Sequence, residues 1–303
     1  MRTIVQQWIT LILIGIVWQN TASAQTFELG VGLGVSAYDG DFLSSKLEVV
    51  KTMSFAGQLQ LTHHFDQRWR GQLFFARGKV SARDEEITGN DRNLSFATHI
   101  NEIGVRVMYN FIPFDPYGQY GRPYTIYAGA GITGYHFNPY TQNHQGQKVY
   151  LQELGTAGQF IGEDGKNKKS YSLFQIGIPL NIGMAVAVHP QVVLGIEFDY
   201  RILFTDYLDD LGRDRYPDFD DLLLSNEQAA LLVHRGWERD YDPGAGLSPV
   251  NAAAAYYDQK DLSNQLRAIG DQNDVFGFLL FKVSYLLEDF NFGKNRKFDC
   301  YNF

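Results

Sequence analysis

Sulfur chemistry is nearly absent from this chain. Cys300 is the only cysteine in 303 residues, so no intrachain disulfide can staple the fold. Long apolar runs are equally scarce. Only the N-terminal segment has one, and the mean hydropathy is -0.24, which excludes a bundle of transmembrane helices, each needing about 20 apolar residues in succession. A surplus of basic charge is also missing. With 26 Lys and Arg against 34 Asp and Glu, the formal net charge is -8, which excludes nucleic-acid recognition through a basic face.

Catalytic signatures are missing as well. His63, His64, His136, His144, His189 and His234 are scattered without H-x-x-x-H or H-E-x-x-H spacing. There is no G-x-S-x-G and no phosphate-binding glycine loop. The stretch GVGLG (30–34) reads as part of a strand without the helix a dinucleotide loop requires, and so as close packing. Asp206, Asp209 and Asp210 cluster at a strand end, where solvation or binding to loop backbone is the expected state. These residues predict no enzyme, no cofactor and no metal site.

What the chain does have is alternation. Val192, Leu194, Ile196, Phe198, Tyr200, Ile202 and Phe204 are apolar, while Glu197, Asp199 and Arg201 stand between them. The same period of two recurs in FELGVGLGVSA (27–37), FAGQLQLTHHF (55–65), WRGQLFFAR (69–77), NEIGVRVMYNF (101–111), YTIYAGAGITGYHF (124–137), LFQIGIPLNIGMAVAV (173–188) and VFGFLLFKVSY (275–285). Aromatics make up 15% of residues, a composition suited to strands. Successive strand side chains point to opposite faces, so each segment has one continuously apolar face. Each is also long enough for a tilted membrane strand of about 9–11 residues.

The connections alternate too. Long or medium ones (38–52, 83–93, 138–170, 207–272) alternate with short ones (around Asp66-Gln67, 112–122, His189-Pro190). Outer-membrane barrels have short periplasmic turns and longer extracellular loops. The sequence therefore predicts an all-β fold: an eight-stranded antiparallel transmembrane β-barrel with long extracellular loops, the last partly helical. The expected organisation is an export signal over 1–24, with Arg2, the apolar run Ile9–Trp18 and the cleavage site Ala22-Ser23-Ala24. One barrel domain spans 25–303, with a loop insert at about 207–272 and a periplasmic tail at about 288–303. The expected location is the outer membrane of a Gram-negative bacterium, among its lipids.

Inward-facing Glu28, Glu102, Glu197 and Asp199 balance Arg70, Arg106, Arg201 and Lys282. Eight strands leave an interior that side chains can fill, so a paired, hydrogen-bonded plug is expected; an ion or substrate path is the alternative. The stretch DFDDLLLSNEQAALLVHRGWERD (218–240) reads as a helix started by Asp218, Asp220 and Asp221 and ended by Gly236, with Leu223, Leu224, Ala230, Leu231 and Val233 packing. A second short helix is expected within 251–270. GEDGKNKK (162–169) reads as a solvated turn, and FIPFDPYGQYGRPY (111–124) as an interfacial aromatic girdle, with a periplasmic contact as the alternative.

Several blocks carry a family resemblance: GVGLGVSAYDGD with Tyr38, Gly40 and Asp41; RNLSF (92–96); LQELGTAGQ (151–159); YSLFQIGIP (171–179); and FTDYLDDLG with Phe204, Thr205, Asp206, Tyr207, Leu208, Asp209 and Asp210. A tail with Cys300 and a terminal Phe303 joins them. In these blocks the chain resembles the PorG-type barrels of the type IX secretion system. The resemblance implies a non-enzymatic outer-membrane subunit that supports protein export and, in some bacteria, gliding. It also implies association with the periplasmic ring of the lipoprotein PorK and its partner PorN, with Cys300 and Phe303 as a contact. The tail KFDCYNF lacks the proline that usually follows the cysteine in that family. The alternative function is a small outer-membrane channel or ligand-binding porin.

Overall fold

The computed structural model describes residues 26–43, 46–84, 91–115, 122–161, 170–212, 215–267 and 273–287. The expected signal segment, the 162–169 turn and the tail with Cys300 and Phe303 lie outside the described residues.

Eight long strands follow the period of two: β1 (Thr26–Asp39), β2 (Ser54–His64), β3 (Trp69–Arg83), β4 (Ser95–Asn110), β5 (Tyr124–His136), β8 (Phe174–His189), β9 (Val192–Leu203) and β10 (Val275–Leu287). Two short strands, β6 (Tyr140–Gln142) and β7 (Lys148–Tyr150), form a hairpin in the β5–β8 connection, and β6 joins the outer end of β4 through Ala97 and Tyr140. The eight long strands run antiparallel in the cyclic order β1, β2, β3, β4, β5, β8, β9, β10. The β1–β10 pairing, which sets Gly30 opposite Ser284, closes the ring. The structure is the eight-stranded barrel the alternation predicts. Closure leaves no long strand with an unpaired edge, which hydrocarbon would penalise by several kcal/mol per exposed group. No helix among the described residues is long and apolar enough to cross a membrane.

The outward faces are apolar: Leu29, Val31, Leu59, Phe75, Ile103, Val105, Ile182 and Phe281 are exposed, while their chain neighbours are buried. One end of the barrel has tight turns. In the β2–β3 turn Asp66 Oδ1 accepts from the amides of Arg68 (2.6 Å) and Trp69 (2.7 Å), an Asx turn that fixes the hairpin register. Trp69, Phe111, Tyr124 and Tyr285 are exposed near this end, as a girdle requires. Phe114, from the same aromatic stretch, departs from that expectation. It is buried with Met108, Tyr127 and Leu286 and blocks the inner mouth.

The other end carries the long connections. The last one, residues 204–274, has its own core. The single helix expected from 218 is two: α2 (Phe219–Ser225) and α3 (Glu227–Leu232), followed by a 3₁₀ turn at Gly236–Arg239 (α1 is the single turn Leu151–Leu154). Asn226 makes the break. Its backbone is extended (φ -161°), and its side chain accepts from the amides of Gln228 and Ala229 while its own N–H closes α2 on Leu222. Asparagine competes with the helix for backbone hydrogen bonds in this way. Gly236 therefore starts a turn rather than ending a helix. Ala230, Leu231 and Val233 pack as expected, but Leu224 points to solvent. The expected second helix is α4 (Pro249–Lys260), capped by Ser248, whose Oγ accepts from Asn251 N. Phe219, Leu222, Trp237 and Tyr257 complete this outer cap.

The glycine-rich β1 is explained by close approach. A Cβ on Gly34 would stand 1.9 Å from the Leu279 carbonyl oxygen across the β1–β10 pair. Gly34→Val is expected to destabilise the barrel by at least about 1–3 kcal/mol, the usual cost of overpacking. Urea unfolding in detergent, read by the mobility difference between folded and boiled protein, measures it; an unchanged midpoint would refute the close approach.

Candidate functional site

The barrel interior is built in layers. At mid-height the inward face of β4 supplies Glu102 and Arg106, and β9 supplies Glu197, Asp199 and Arg201. These strands are not neighbours, so their side chains meet across the lumen. Arg106 donates to Asp199 Oδ1 and Glu197 Oε1, each at 2.6 Å, and to Gln72 Oε1 at 2.7 Å. Arg201 holds Glu102 through Nε (3.1 Å) and Nη2 (2.9 Å) and lies 3.4 Å from Asp199. Lys282 Nζ donates to Glu197 Oε2 at 2.8 Å, where the Tyr127 hydroxyl (2.7 Å) and Asn181 (3.2 Å) also donate.

The structure brings seven of the eight inward charges into two groups, with the eighth between them. Glu28 pairs with His64 at 2.8 Å on the adjacent strand. Arg70 lies over the Tyr127 ring, 4.3 Å from its centroid, between Glu28 and the larger group. His64, Tyr127, Gln72 and Asn181 belong to no charge pattern in the sequence. Their in-phase positions are the only signal they carry, and partner identity depends on geometry across the lumen. The void among Glu28, Arg70, Tyr127 and Lys282 is about 10 Å³, room for about one water.

The inward face is not polar throughout, as the alternation suggested. Above the charged layer, Phe74, Phe96, Ile100, Tyr135, Phe276, Phe278 and Leu280 fill the outer half of the lumen. These residues sit in inward register with the polar ones. The Arg201 guanidinium rests on this aromatic layer, 4.5 Å from the Phe278 centroid. An apolar plug thus lies on each side of the charges.

Above the aromatic layer sits a second polar group, made from the blocks that carry the family resemblance. The Tyr38 hydroxyl donates to Asp209 Oδ2 (2.5 Å) and lies 3.1 Å from Asp274 Oδ1. Asp274 Oδ2 accepts from Leu208 N (2.9 Å), and Asp209 Oδ1 from Leu211 N (2.8 Å). A Cβ on Gly40 would fall 2.2 Å from both Tyr38 Oη and Asp274 Oδ1, so glycine leaves room for the pair. Asp210 accepts from Thr156, from Tyr171 Oη (2.8 Å) and from Arg267 Nη2 (3.3 Å). Arg92 ties three connections together by donating to the Asp41 carbonyl, the Arg267 carbonyl and Asp84.

Asp206, Asp209 and Asp210 are therefore buried rather than solvated; of the two expected states, binding to loop backbone holds for Asp209, which accepts from Leu211 N. The cap covers them, and hydroxyls and Arg267 replace water. Phe204 lies just past the end of β9 and faces outward, Thr205 caps the Tyr207 amide, and Tyr207 stacks on Tyr171 at 4.8 Å. Asp84, Arg267 and Asp274 carry no signal in the sequence: nothing local marks Arg267 as a partner of Asp210, 57 positions away, or Asp274 as a partner of Tyr38, 236 positions away. Among the described residues no cluster of three or more His, Cys, Asp or Glu is arranged to hold a metal ion.

Burial, with Asp209, Asp41 and Asp206 nearby, pushes the Asp274 carboxyl well above the ordinary carboxylate range. Burial also raises Asp209, with Asp41 nearby. The geometry accommodates a proton on Asp274 Oδ1, donated to Tyr38 Oη, which in turn donates to Asp209. A folded pKa raised above the unfolded value of about 3.9 means the folded state holds more protons. The stabilising contribution is complete below about pH 3.9 and is lost as pH rises through the folded pKa. Protease resistance of the 204–274 connection is thus expected to fall as pH rises through that window. Asp274→Asn, which keeps a donor toward Tyr38, should flatten the dependence, and an unchanged slope would refute this assignment. In the charged layer, Arg106→Leu leaves Glu197 with Lys282 and Asp199 with Arg201 as their remaining cations, so three buried carboxylates face two cations; it is expected to cost about 3–5 kcal/mol, measured as a lowered urea midpoint.

The family described as outer membrane protein beta-barrel domain matches residues 9–228. Similar solved structures include the Neisserial surface protein A (11% identity, 87% of this chain and 99% of that one, TM-score 0.41). Ail of Yersinia pestis, in complex with the heparin analogue sucrose octasulfate, is 8% identical over 88% of this chain and 100% of its own, with TM-score 0.40. A major outer membrane protein from Thermus thermophilus is 14% identical over 88% and 100%, with TM-score 0.40. No curated protein sequence matches the chain. With a match over most of its length to that family, the chain belongs to the outer membrane protein β-barrel family and resides in the outer membrane.

Proposed function

We propose that this protein is a non-enzymatic, non-conducting barrel subunit of a type IX secretion or gliding apparatus, which anchors or organises the periplasmic ring. The observation that carries the non-conducting part is the filled lumen. Charges at mid-height are paired, and apolar layers lie inward and outward of them. An ion crossing would have to break buried pairs and pass through the aromatic layer without water, each costing several kcal/mol. A barrel filled in this way works through its surfaces.

The secretion assignment is supported by the resemblance of YDGD, RNLSF, LQELGTAGQ, YSLFQIGIP and FTDYLDDLG to the PorG-type barrels. On that reading the partners are the ring proteins PorK and PorN, met from the periplasmic side. Extraction in mild detergent is expected to bring ring proteins down with the barrel, and recovery of the barrel alone under conditions that keep the ring intact would overturn the assignment. Planar bilayers containing the purified protein are expected to stay silent. Steady conductance that changes in Arg201→Ala would favour the channel reading instead.

A further inference from the structure

The barrel exterior carries a feature that the filled lumen leaves unused. Along the outward face of β3, apolar Trp69, Leu73 and Phe75 give way to Arg77 and Lys79. Trp69 packs edge-on against Tyr109 in the inner girdle. From Trp69 to Arg77 is eight residue steps, roughly 21 Å along the membrane normal at about 3.4 Å per residue and about 40° tilt. Outer-membrane barrels have an apolar band about 25 Å tall. Arg77 and Lys79 therefore emerge at the outer lipid–water boundary.

Beside them, and running inward from their level, an apolar groove of about 540 Å³ crosses β1, β2 and β3, walled by Leu33, Phe55, Leu59 and Phe75, with Gly57 directly opposite Arg77. Arg77, Lys79 and His99 complete its lining on the β3–β4 side. Lys79 also borders a polar recess of about 310 Å³ lined by Ser95, Thr141, Asn143 and Arg235. Lys148 stands nearby, its ammonium 3.7 Å from the Tyr140 ring centroid. Lys79 stands opposite His99 across the β3–β4 pair, and the His99 ring stacks on Tyr140, the ring that carries Lys148; with Arg77 two residues along the same face of β3, the four form one cluster. Among the described residues no carboxylate forms an ion pair with Arg77, Lys79 or Lys148. On a chain of net charge -8, this is a local reversal of sign, placed where a membrane presents its headgroups.

We propose that this face binds a phosphorylated glycolipid of the outer leaflet. An acyl chain lies in the groove over Gly57, phosphate meets Arg77, Lys79 and Lys148, and the sugar occupies the polar recess. The groove accounts for the chain and the cations for the phosphate. The recess, with its hydroxyl and amide groups, distinguishes a sugar-bearing lipid from a simple glycerophospholipid.

Native mass spectrometry of the full-length barrel, extracted in mild detergent with its own membrane lipids, tests this. The wild type is expected to retain a phosphorylated glycolipid. Arg77→Glu with Lys79→Glu should lower the retained fraction at least about tenfold. Gly57→Leu should do the same from the apolar side. A Cβ at Gly57 meets nothing closer than Leu33 Cδ2 at 3.6 Å, an ordinary contact, and the gel-mobility shift verifies that the variant is folded. Delipidated protein re-exposed to mixed micelles should take up phosphorylated glycolipid in preference to phosphatidylglycerol, and millimolar inorganic phosphate should not displace it. No adduct on the wild type, equal uptake of phosphatidylglycerol, displacement by phosphate alone, or retention unchanged in the folded variants would each overturn the proposal.

Discussion

Charge must be neutralised here in a space that water does not fill, and the rest of the architecture serves that need. Glu102, Glu197 and Asp199 are fully buried at the middle of an eight-stranded barrel, with Arg106, Arg201 and Lys282 against them. At an effective dielectric of about 20, an ion pair at about 4 Å is still worth about 4 kcal/mol, and leaving one partner alone in that space costs several kcal/mol. The pairs therefore act as cross-braces. Arg106 and Arg201 each join β4 to β9, strands that never touch through backbone hydrogen bonds. The two walls of the barrel are held at one spacing and one register.

The apolar layers follow from the same constraint. Phe276, Phe278 and Phe74 above, with Met108, Phe114 and Leu286 below, exclude water from the charged layer and strengthen its pairs. The outer layer also supports the second polar group, where hydrogen bonds from Tyr38 to Asp209, from Tyr171 to Asp210 and from Leu208 N to Asp274 help bind the long last connection to the barrel mouth. A loop of roughly seventy residues is unusual without structure of its own. Here it has a core around Trp237 and Tyr257, and it is fastened through Arg92 and Arg267 as well as through its ends. With both mouths closed, the exterior and the outer cap are the surfaces left for work.

Strands, their faces and the end that bears the long loops were legible in the residue pattern. These follow from local geometry: period two places every second side chain in lipid, and no distant residue can alter that. The same pattern turned Glu28, Arg70, Glu102, Arg106, Glu197, Asp199, Arg201 and Lys282 inward. Which charge meets which is a property of the closed ring alone. Contacts across the lumen depend on strand tilt and stagger, which no single strand encodes. The same applies to FTDYLDDLG, whose acids show no partners in the sequence until Tyr38 arrives from β1, Thr156 and Tyr171 from the β5–β8 connection, and Arg267 from the far end of the same loop. Asn226, by contrast, broke the expected helix through a local capping preference, a signal present in the sequence but weaker than the apolar run around it.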